Sequence, residues 1–187
     1  MEHLIESDSI IITLDVNNSL FEQLKQIKQA GLSVVELNQI EPDILADALD
    51  AYPSLRLGVG NILNAEQLEG AHKAGAHFTS SLGLIPELVQ TASVYGFHYL
   101  PGVATFSEAM QAVSLGCQHV KPFPATLAFC THLNKYLPEL RLFPAEITER
   151  EAQALLKLPT VAAASVIHPN LDKLKALKQA GVQLIKE

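Results

Sequence analysis

The chain has 187 residues, 48% of them hydrophobic, and its 13 basic and 20 acidic residues give a formal net charge of −7. This length suits one sizeable core, so we expect a single domain over residues 1–187. The acidic balance, with no segment rich in Lys and Arg, excludes nucleic acid and an anionic membrane surface as expected partners.

A repeat of helix ends organises the chain. Five glycines follow amphipathic stretches and precede apolar runs, at positions 31, 75, 96, 116 and 181. Glycine just past a helix takes the left-handed capping conformation without a steric penalty. The spacings between these glycines are close to multiples of about 21 residues, the length of one short βα unit.

In chain order, the pattern predicts eight strands, near residues 10–14, 33–37, 55–59, 77–80, 97–100, 119–121, 140–143 and 160–163. The segments between them have apolar residues at helical spacing, as at Leu20, Leu24 and Ile27. Alternating strands and helices favour a parallel sheet, and eight units allow it to close. We therefore predict an α/β protein, a single (β/α)8 TIM barrel with short helices. An open doubly wound sheet is the main alternative, although no G-x-G-x-x-G loop follows the first strand.

Two charged residues lie where barrel strands should be apolar. Glu36 ends the second predicted strand and Lys121 ends the sixth, before Pro122. Active sites of barrels collect at the carboxyl ends of the strands. A lysine amine becomes a nucleophile when burial keeps it neutral, and a nearby carboxylate can then move protons. The two residues therefore predict amine catalysis on a carbonyl compound, and a structural ion pair is the alternative interpretation.

Other polar residues carry weaker signals. His119 shares a strand face with Lys121 and is a candidate proton relay, although a packing role is favoured. Ser80-Ser81 at the end of the fourth strand are candidate hydroxyl ligands or turn formers. Gly58-Val59-Gly60-Asn61 is either a tight turn or a site of close backbone approach, where Asn61 could bind a carboxylate.

Several features of the sequence indicate which cofactors and which cellular compartment to expect. The seven histidines show no metal-binding spacing, so neither a metal nor another cofactor is predicted. Cys117 and Cys130 form no CxxC motif, which indicates free thiols in a reducing compartment. The acidic start is unlike a secretory leader, and no apolar run approaches the ~20 residues of a membrane span. We therefore expect a cytoplasmic protein with no membrane partner.

Five segments resemble the 2-keto-3-deoxy-6-phosphogluconate (KDPG) and 4-hydroxy-2-oxoglutarate (KHG) aldolases, over most of the chain. Val120-Lys121-Pro122-Phe123-Pro124-Ala125 is similar to V-K-F-F-P-A, and the segment from Ala30 to Glu36 resembles A-G-x-x-x-x-E. The other three resemble G-A-G-T-V-L-N, S-P-G-L and P-G-V, and in this chain they lie at 58–64, 81–84 and 100–103.

The resemblance implies a class I aldolase, a lyase of carbohydrate metabolism that reversibly cleaves a 2-keto acid to pyruvate plus an aldehyde. It implies the barrel fold, a homotrimer and a reaction without a metal. Lys121 would form the Schiff base and Glu36 would transfer protons. The implied substrate-binding residues are Asn61, Gly60, Ser81, Pro101, Thr105 and Phe123.

The chain departs from the family pattern where the substrate would be bound. Ile40 replaces an arginine, and Asn61 replaces a threonine. The glycine-rich P-T-G-G-I phosphate loop reads Pro144-Ala145-Glu146-Ile147, and G-G-S reads Ser165-Val166-Ile167. A carboxylate at Glu146 would repel a phosphate, so an unphosphorylated 4-hydroxy-2-keto acid fits better than 2-keto-3-deoxy-6-phosphogluconate. The second hypothesis is a catalytically impaired barrel that acts as a binding or scaffold protein.

Overall fold

A computed structural model of the protein describes residues 9–167 and 169–170. The described residues contain seven short helices, which are α1 (Leu20–Gln29), α2 (Pro42–Ala51), α3 (Ala65–Lys73), α4 (Pro86–Tyr95), α5 (Phe106–Ser114), α6 (Leu127–Tyr136) and α7 (Glu149–Leu155). Local sequence explains where several of them begin. Thr105 and Thr148 start α5 and α7 with capping boxes, in which the threonine and a glutamate three residues later satisfy each other's backbone N–H groups.

The same part of the chain contains nine strand segments. They are β1 (Ile10–Leu14), β2 (Val34–Leu37), β3 (Arg56–Val59), β4 (Phe78–Ser80), β5 (Tyr99–Leu100), β6 (Gly102–Val103), β7 (His119–Pro122), β8 (Arg141–Leu142) and β9 (Ala164–Ile167). Six strands pair in the order β5-β4-β3-β2-β1-β9 and three in the order β6-β7-β8, and each of these pairings is parallel. The prediction of an α/β fold with a curled parallel sheet and short helices is therefore confirmed.

Backbone contacts join the two sheets at both ends. Only Pro101 separates β5 from β6, and its carbonyl accepts a hydrogen bond from the N–H of Lys121 at 2.8 Å. At the other end, the N–H of Leu142 donates to the carbonyl of Thr160, and the N–H of Ser165 donates to the carbonyl of Pro144. The three-stranded sheet therefore continues the curl of the larger one.

The predicted eighth strand at 160–163 is wrong in position, because the strand lies at Ala164–Ile167. Residues 158–161 form a turn in which the N–H of Val161 donates to the carbonyl of Leu158. Both the N–H and the hydroxyl of Thr160 bind the side chain of Asn134. The carbonyl of Thr160 and the N–H of Ala162 both bond to the backbone of Leu142, and Ala164 is the first residue of β9 that pairs with β1.

The glycine signals are accurate within the described residues. Glycines 31, 75, 96 and 116 all have positive φ values, between 60° and 89°, at the ends of helices. Gly181 lies outside the described residues.

The two faces of the sheet contribute to two different clusters of buried apolar side chains. Alternate side chains join a large core against the helices, whereas a smaller cluster fills the concave face of the curled sheet, formed by Ile11, Val34, Phe78, Leu100, Phe143 and Ala163. Two residues further along three of these strands, on the same face, lie Thr13, Glu36 and Ser80. A polar layer therefore lies above the apolar one, toward the carboxyl ends of the strands.

Candidate active site

Lys121 and Glu36 meet inside the polar layer. Lys121 Nζ lies 2.6 Å from Glu36 Oε1, and the two residues are only 4% and 2% exposed. Ser80, which is fully buried, completes a triangle of hydrogen bonds. Its Oγ donates to Glu36 Oε2 at 2.7 Å and accepts from Lys121 Nζ at 2.9 Å. The amine therefore contacts a carboxylate and a hydroxyl that come from two other strands.

The strand register explains why these groups converge. Glu36 and Lys121 are each the third residue of a four-residue strand, and Ser80 is the last residue of β4. Parallel strands place their carboxyl ends at the same edge of the sheet. Gly60 leaves room beside them, because a Cβ built on it would stand 2.9 Å from Glu36 Oε1.

A cavity of about 150 Å³ opens beside the pair. Its charged and polar lining consists of Glu36, Lys121, Glu146, Thr13, Asn38 and Asn61. The apolar lining consists of Leu82, Phe123, Ala145 and Ile167. An engineered protein cavity of about 150 Å³ binds benzene, which has as many non-hydrogen atoms as pyruvate. The cavity therefore has room for a pyruvate unit in contact with the amine.

Loop residues at the cavity mouth form a connected polar chain. Asn61 Nδ2 donates to the carbonyl of Asn38 at 2.8 Å, and Asn38 Nδ2 donates to Asp15 Oδ1 at 2.6 Å. Asn61 and Glu146 have φ values of 57° and 58°, in the left-handed region that favours glycine. Such backbone is retained mainly where the surroundings over-determine it, and functional sites are common among such places.

The structure adds a hydroxyl pair that the sequence analysis missed. Thr13 Oγ1 and Ser165 Oγ lie 2.6 Å apart, and both residues are buried. Thr13 pairs with Glu36 in the register of β1 and β2 and lines the same cavity. The signal in the sequence was a threonine inside the apolar run Ile10–Leu14, but the register that brings Ser165 to it required the fold.

The predicted substrate-binding residues fall into two groups. Asn61 and Phe123 line the cavity, and Gly60 lies against Glu36. Ser81, Pro101 and Thr105 do not line it. Ser81 Oγ donates to the carbonyl of Gly83 and lies 2.6 Å from Tyr99 Oη. Pro101 offers its carbonyl to the backbone of Lys121, and exposed Thr105 caps α5.

Burial raises the pKa of Tyr99 to about 12, against the opposing effect of its hydrogen bond with Ser81. The phenol therefore stays protonated at neutral pH. The contact between Ser81 and Tyr99 links the segment directly after β4 to the first residue of β5.

The structure also shows where His119 and Ile40 lie. The His119 ring lies 5.9 Å from the ring of Phe143 and lines a second cavity at the start of β7, away from the Lys121 end of that strand. Ile40 packs against the large core. No cluster of three or more potential metal ligands occurs among residues 9–167 and 169–170. In the same part of the chain, no helix has the length and apolar character needed to cross a membrane.

The fold and the site together define an α/β protein with a buried, carboxylate-paired lysine at the carboxyl ends of parallel strands. A family model described as KDPG and KHG aldolase matches residues 5–186. The chain therefore belongs to the KDPG and KHG aldolase family, as its motifs predicted.

Individual relatives agree with this assignment. The chain is 39% identical over 120 residues to a 2-dehydro-3-deoxy-phosphogluconate aldolase of Treponema pallidum, covering 63% of this chain and 57% of the relative. It is 32% identical over 105 residues to the KHG/KDPG aldolase of Escherichia coli K12, covering 54% and 49%. The chain thus spans about half the length of these curated relatives.

One solved structure is similar to this chain over nearly the whole length of both. It is the 2-keto-3-deoxy-6-phosphogluconate aldolase of Zymomonas mobilis ZM4 with 3-phosphoglycerate, with a TM-score of 0.80 and 26% identity, covering 96% of this chain and 93% of that one.

Proposed function

We propose that the protein is a class I aldolase that reversibly cleaves a 4-hydroxy-2-keto acid to pyruvate and an aldehyde. The observation that carries this proposal is the contact of 2.6 Å between buried Lys121 Nζ and Glu36 Oε1 beside a cavity of suitable size. A structural ion pair accounts for the contact but not for the cavity that both residues line.

In the proposed mechanism, Lys121 supplies the nucleophile. Its ammonium first gives a proton to Glu36, and the neutral amine attacks the keto carbon of the substrate. The carbinolamine that forms loses water, and the iminium accepts the electron pair of the C3–C4 bond when that bond breaks. Protonation of the resulting enamine and hydrolysis release pyruvate and restore the amine.

Glu36 is the general acid and base of this sequence. It accepts the proton of the C4 hydroxyl as the C3–C4 bond breaks, and it returns protons during dehydration and hydrolysis. Its position on β2, opposite Lys121 on β7, allows it to reach the reacting carbons from the same cavity. No step requires a metal ion or another cofactor.

The charges of the cavity favour an aldehyde half without phosphate. Lys121 is the cation among the described lining residues, and it is already paired with Glu36. Glu146 adds a negative charge at the mouth, which would repel a second anionic group on the substrate. We therefore infer an unphosphorylated acid of the 4-hydroxy-2-oxoglutarate type in preference to 2-keto-3-deoxy-6-phosphogluconate. Asn61 and Phe123 are the proposed substrate contacts.

We also propose that the two sheets form one closed eight-stranded barrel, with β5 and β6 acting as a single strand around Pro101. The hydrogen bonds that join Leu142 to Thr160 and Ser165 to Pro144 support closure. The family match over residues 5–186 supports a single domain for residues 1–187.

The cellular setting belongs to the same proposal. Free Cys117 and Cys130 support a reducing compartment such as the cytoplasm, and the family resemblance supports a role in carbohydrate metabolism. The family resemblance supports a homotrimer.

Borohydride trapping with pyruvate tests the mechanism. The wild-type protein should gain one reduced pyruvate adduct, located on Lys121 by peptide mass spectrometry. Lys121→Ala should lose the adduct, whereas Lys73→Ala should keep it, because Lys73 is exposed and paired with Glu69 on the surface of α3. Pyruvate release from 4-hydroxy-2-oxoglutarate and from 2-keto-3-deoxy-6-phosphogluconate then ranks the substrates.

A protein that forms no adduct, or one whose adduct survives Lys121→Ala, contradicts the Schiff-base mechanism. That result would favour the second hypothesis, a barrel retained for binding.

A further inference from the structure

We propose that Ser80 is a third catalytic group of this site, and that its hydroxyl relays protons between Lys121 Nζ and Glu36 Oε2. This inference rests on the proposed Schiff-base function of Lys121. The sequence analysis named Ser80 only as a candidate hydroxyl ligand or turn former, and the family resemblance pointed to its neighbour Ser81.

The contacts of Ser80 are those that a proton relay requires. Its Oγ accepts from Lys121 Nζ at 2.9 Å and donates to Glu36 Oε2 at 2.7 Å. Both distances lie within the range for proton transfer along hydrogen bonds. Ser80 has no exposed surface and lies at the end of β4, so its position is fixed by the sheet.

The direct contact between Lys121 and Glu36 cannot keep the carboxylate in place throughout the reaction, because the number of protons on the lysine nitrogen changes. A lysine ammonium has three N–H donors, and two of them bind Glu36 and Ser80. An iminium nitrogen keeps only one, so Lys121 cannot hold both partners after it bonds to the substrate. The hydrogen bond from Ser80 to Glu36 does not depend on the amine. Ser80 therefore keeps the carboxylate in place while Lys121 is covalently occupied.

The relay step balances without any added reactant. A proton leaves Lys121 Nζ for Ser80 Oγ as the Oγ proton passes to Glu36 Oε2. The ammonium becomes an amine, the carboxylate becomes a carboxylic acid, and the serine hydroxyl is unchanged. During dehydration, a proton passes from Glu36 Oε2 through Ser80 Oγ to the hydroxyl group of the carbinolamine, which leaves as water, and the carboxylate is restored. Because this route uses Oε2, Glu36 Oε1 remains available to accept the C4 hydroxyl proton of the substrate.

The test compares Ser80→Ala with Ser80→Thr, which keeps the hydroxyl, and with Thr79→Val. Thr79 is a matched control, because it lies on the same strand, is equally buried, and has a hydroxyl without a hydrogen-bond partner among the described residues. Pyruvate release from 4-hydroxy-2-oxoglutarate should fall in kcat by about 100-fold in Ser80→Ala, with KM little changed. Ser80→Thr should recover at least a tenth of the wild-type rate, and Thr79→Val should match the wild type.

A solvent-isotope measurement separates a relay from a purely structural role. The wild-type kcat, measured in mixtures of H₂O and D₂O, should depend on deuterium fraction along a curve, because two protons move together. In Ser80→Ala the dependence should become linear. If Ser80→Ala does not fold, the nearly isosteric Ser80→Cys replaces it, since a thiol is a weak donor and acceptor.

A linear dependence in the wild type, or a Ser80→Ala rate within twofold of wild type, would overturn the relay. The trapping experiment distinguishes this failure from failure of the proposed function. A wild-type adduct on Lys121 together with an active Ser80→Ala sinks the relay alone, whereas the absence of a wild-type adduct sinks both.

Discussion

Gly60 stands so close to Glu36 that one added carbon would lie 2.9 Å from the carboxylate oxygen Oε1. Glu36 cannot move aside freely, because Lys121 and Ser80 hold its two oxygens. The absence of a side chain at Gly60 is therefore part of what positions the proposed general base.

Gly60→Ala should reduce kcat for pyruvate release by at least tenfold and should lower the free energy of unfolding by about 1–3 kcal/mol, the usual cost of overpacking. Gly83→Ala is the matched control, since nothing lies within 4 Å of a Cβ built there. Steady-state kinetics and urea unfolding measure both effects. Equal activity of the two variants would show that Glu36 is not held by this contact.

Lys121→Met should destabilise the fold as well as abolish the adduct. The substitution leaves Glu36 buried without its charged partner, and breaking a buried pair in this way costs about 3–5 kcal/mol. Replacing both residues, as Lys121→Met with Glu36→Leu, should recover most of that loss in urea unfolding, because well-packed apolar side chains substitute for a buried pair. A double variant no more stable than the single one would contradict this account.

Glu146→Gln should change the choice of aldehyde without changing the chemistry. In the direction of synthesis from pyruvate, kcat/KM for glyceraldehyde 3-phosphate should rise roughly fivefold, since removal of one like charge at about 4 Å in water is worth ~1 kcal/mol. The value for glyceraldehyde should stay the same. The gain should shrink as salt is added, because salt screens exposed charges. A parallel rise for both aldehydes would mean that Glu146 acts by shape and not by charge.

His77 should make the protein less stable in mild acid. Burial lowers the pKa of His77 from its usual 6.5, against the effect of the backbone hydrogen bond with Leu57, and Arg56 lowers it further. The unfolded chain therefore binds more protons as pH falls below 6.5, and stability decreases in that window. His77→Asn keeps an acceptor for the N–H of Leu57. Its Tm should vary less between pH 7 and pH 5 than that of the wild type, and an unchanged pH dependence would contradict the assignment.

The chain pattern predicted the parallel α/β architecture and the proposed reactive pair because both have local signals. Glycines at helix ends mark each βα unit, and a charge inside an apolar strand stands out in any sequence. Glu36 and Lys121 could therefore be chosen before the fold was known. The eighth strand was misplaced because residues 158–161 form a turn, in which Thr160 binds Asn134 of α6, and that distant contact leaves no signal in the local sequence.

The choice between Ser80 and Ser81 shows where local signals end. Ser80 is the last residue of β4 and Ser81 follows it, and the resemblance pointed to Ser81. The alternation of side chains places Ser80 on the concave face with Phe78, whereas Ser81 turns toward Tyr99. A strand of three residues is too short for its alternation of apolar and polar side chains to show which of them face the concave side of the sheet. The contact between Thr13 and Ser165 was missed for a related reason, since it depends on the register of β1 against β9.

The groups proposed for bond making sit on β2, β4 and β7, whereas Asn61 and Glu146 sit on connecting segments after β3 and β8. Evolution can therefore exchange the mouth segments piece by piece while the strands preserve the reactive chemistry. A change of aldehyde specificity would then require substitutions at a few loop residues and none in the strands that hold the Lys121 amine.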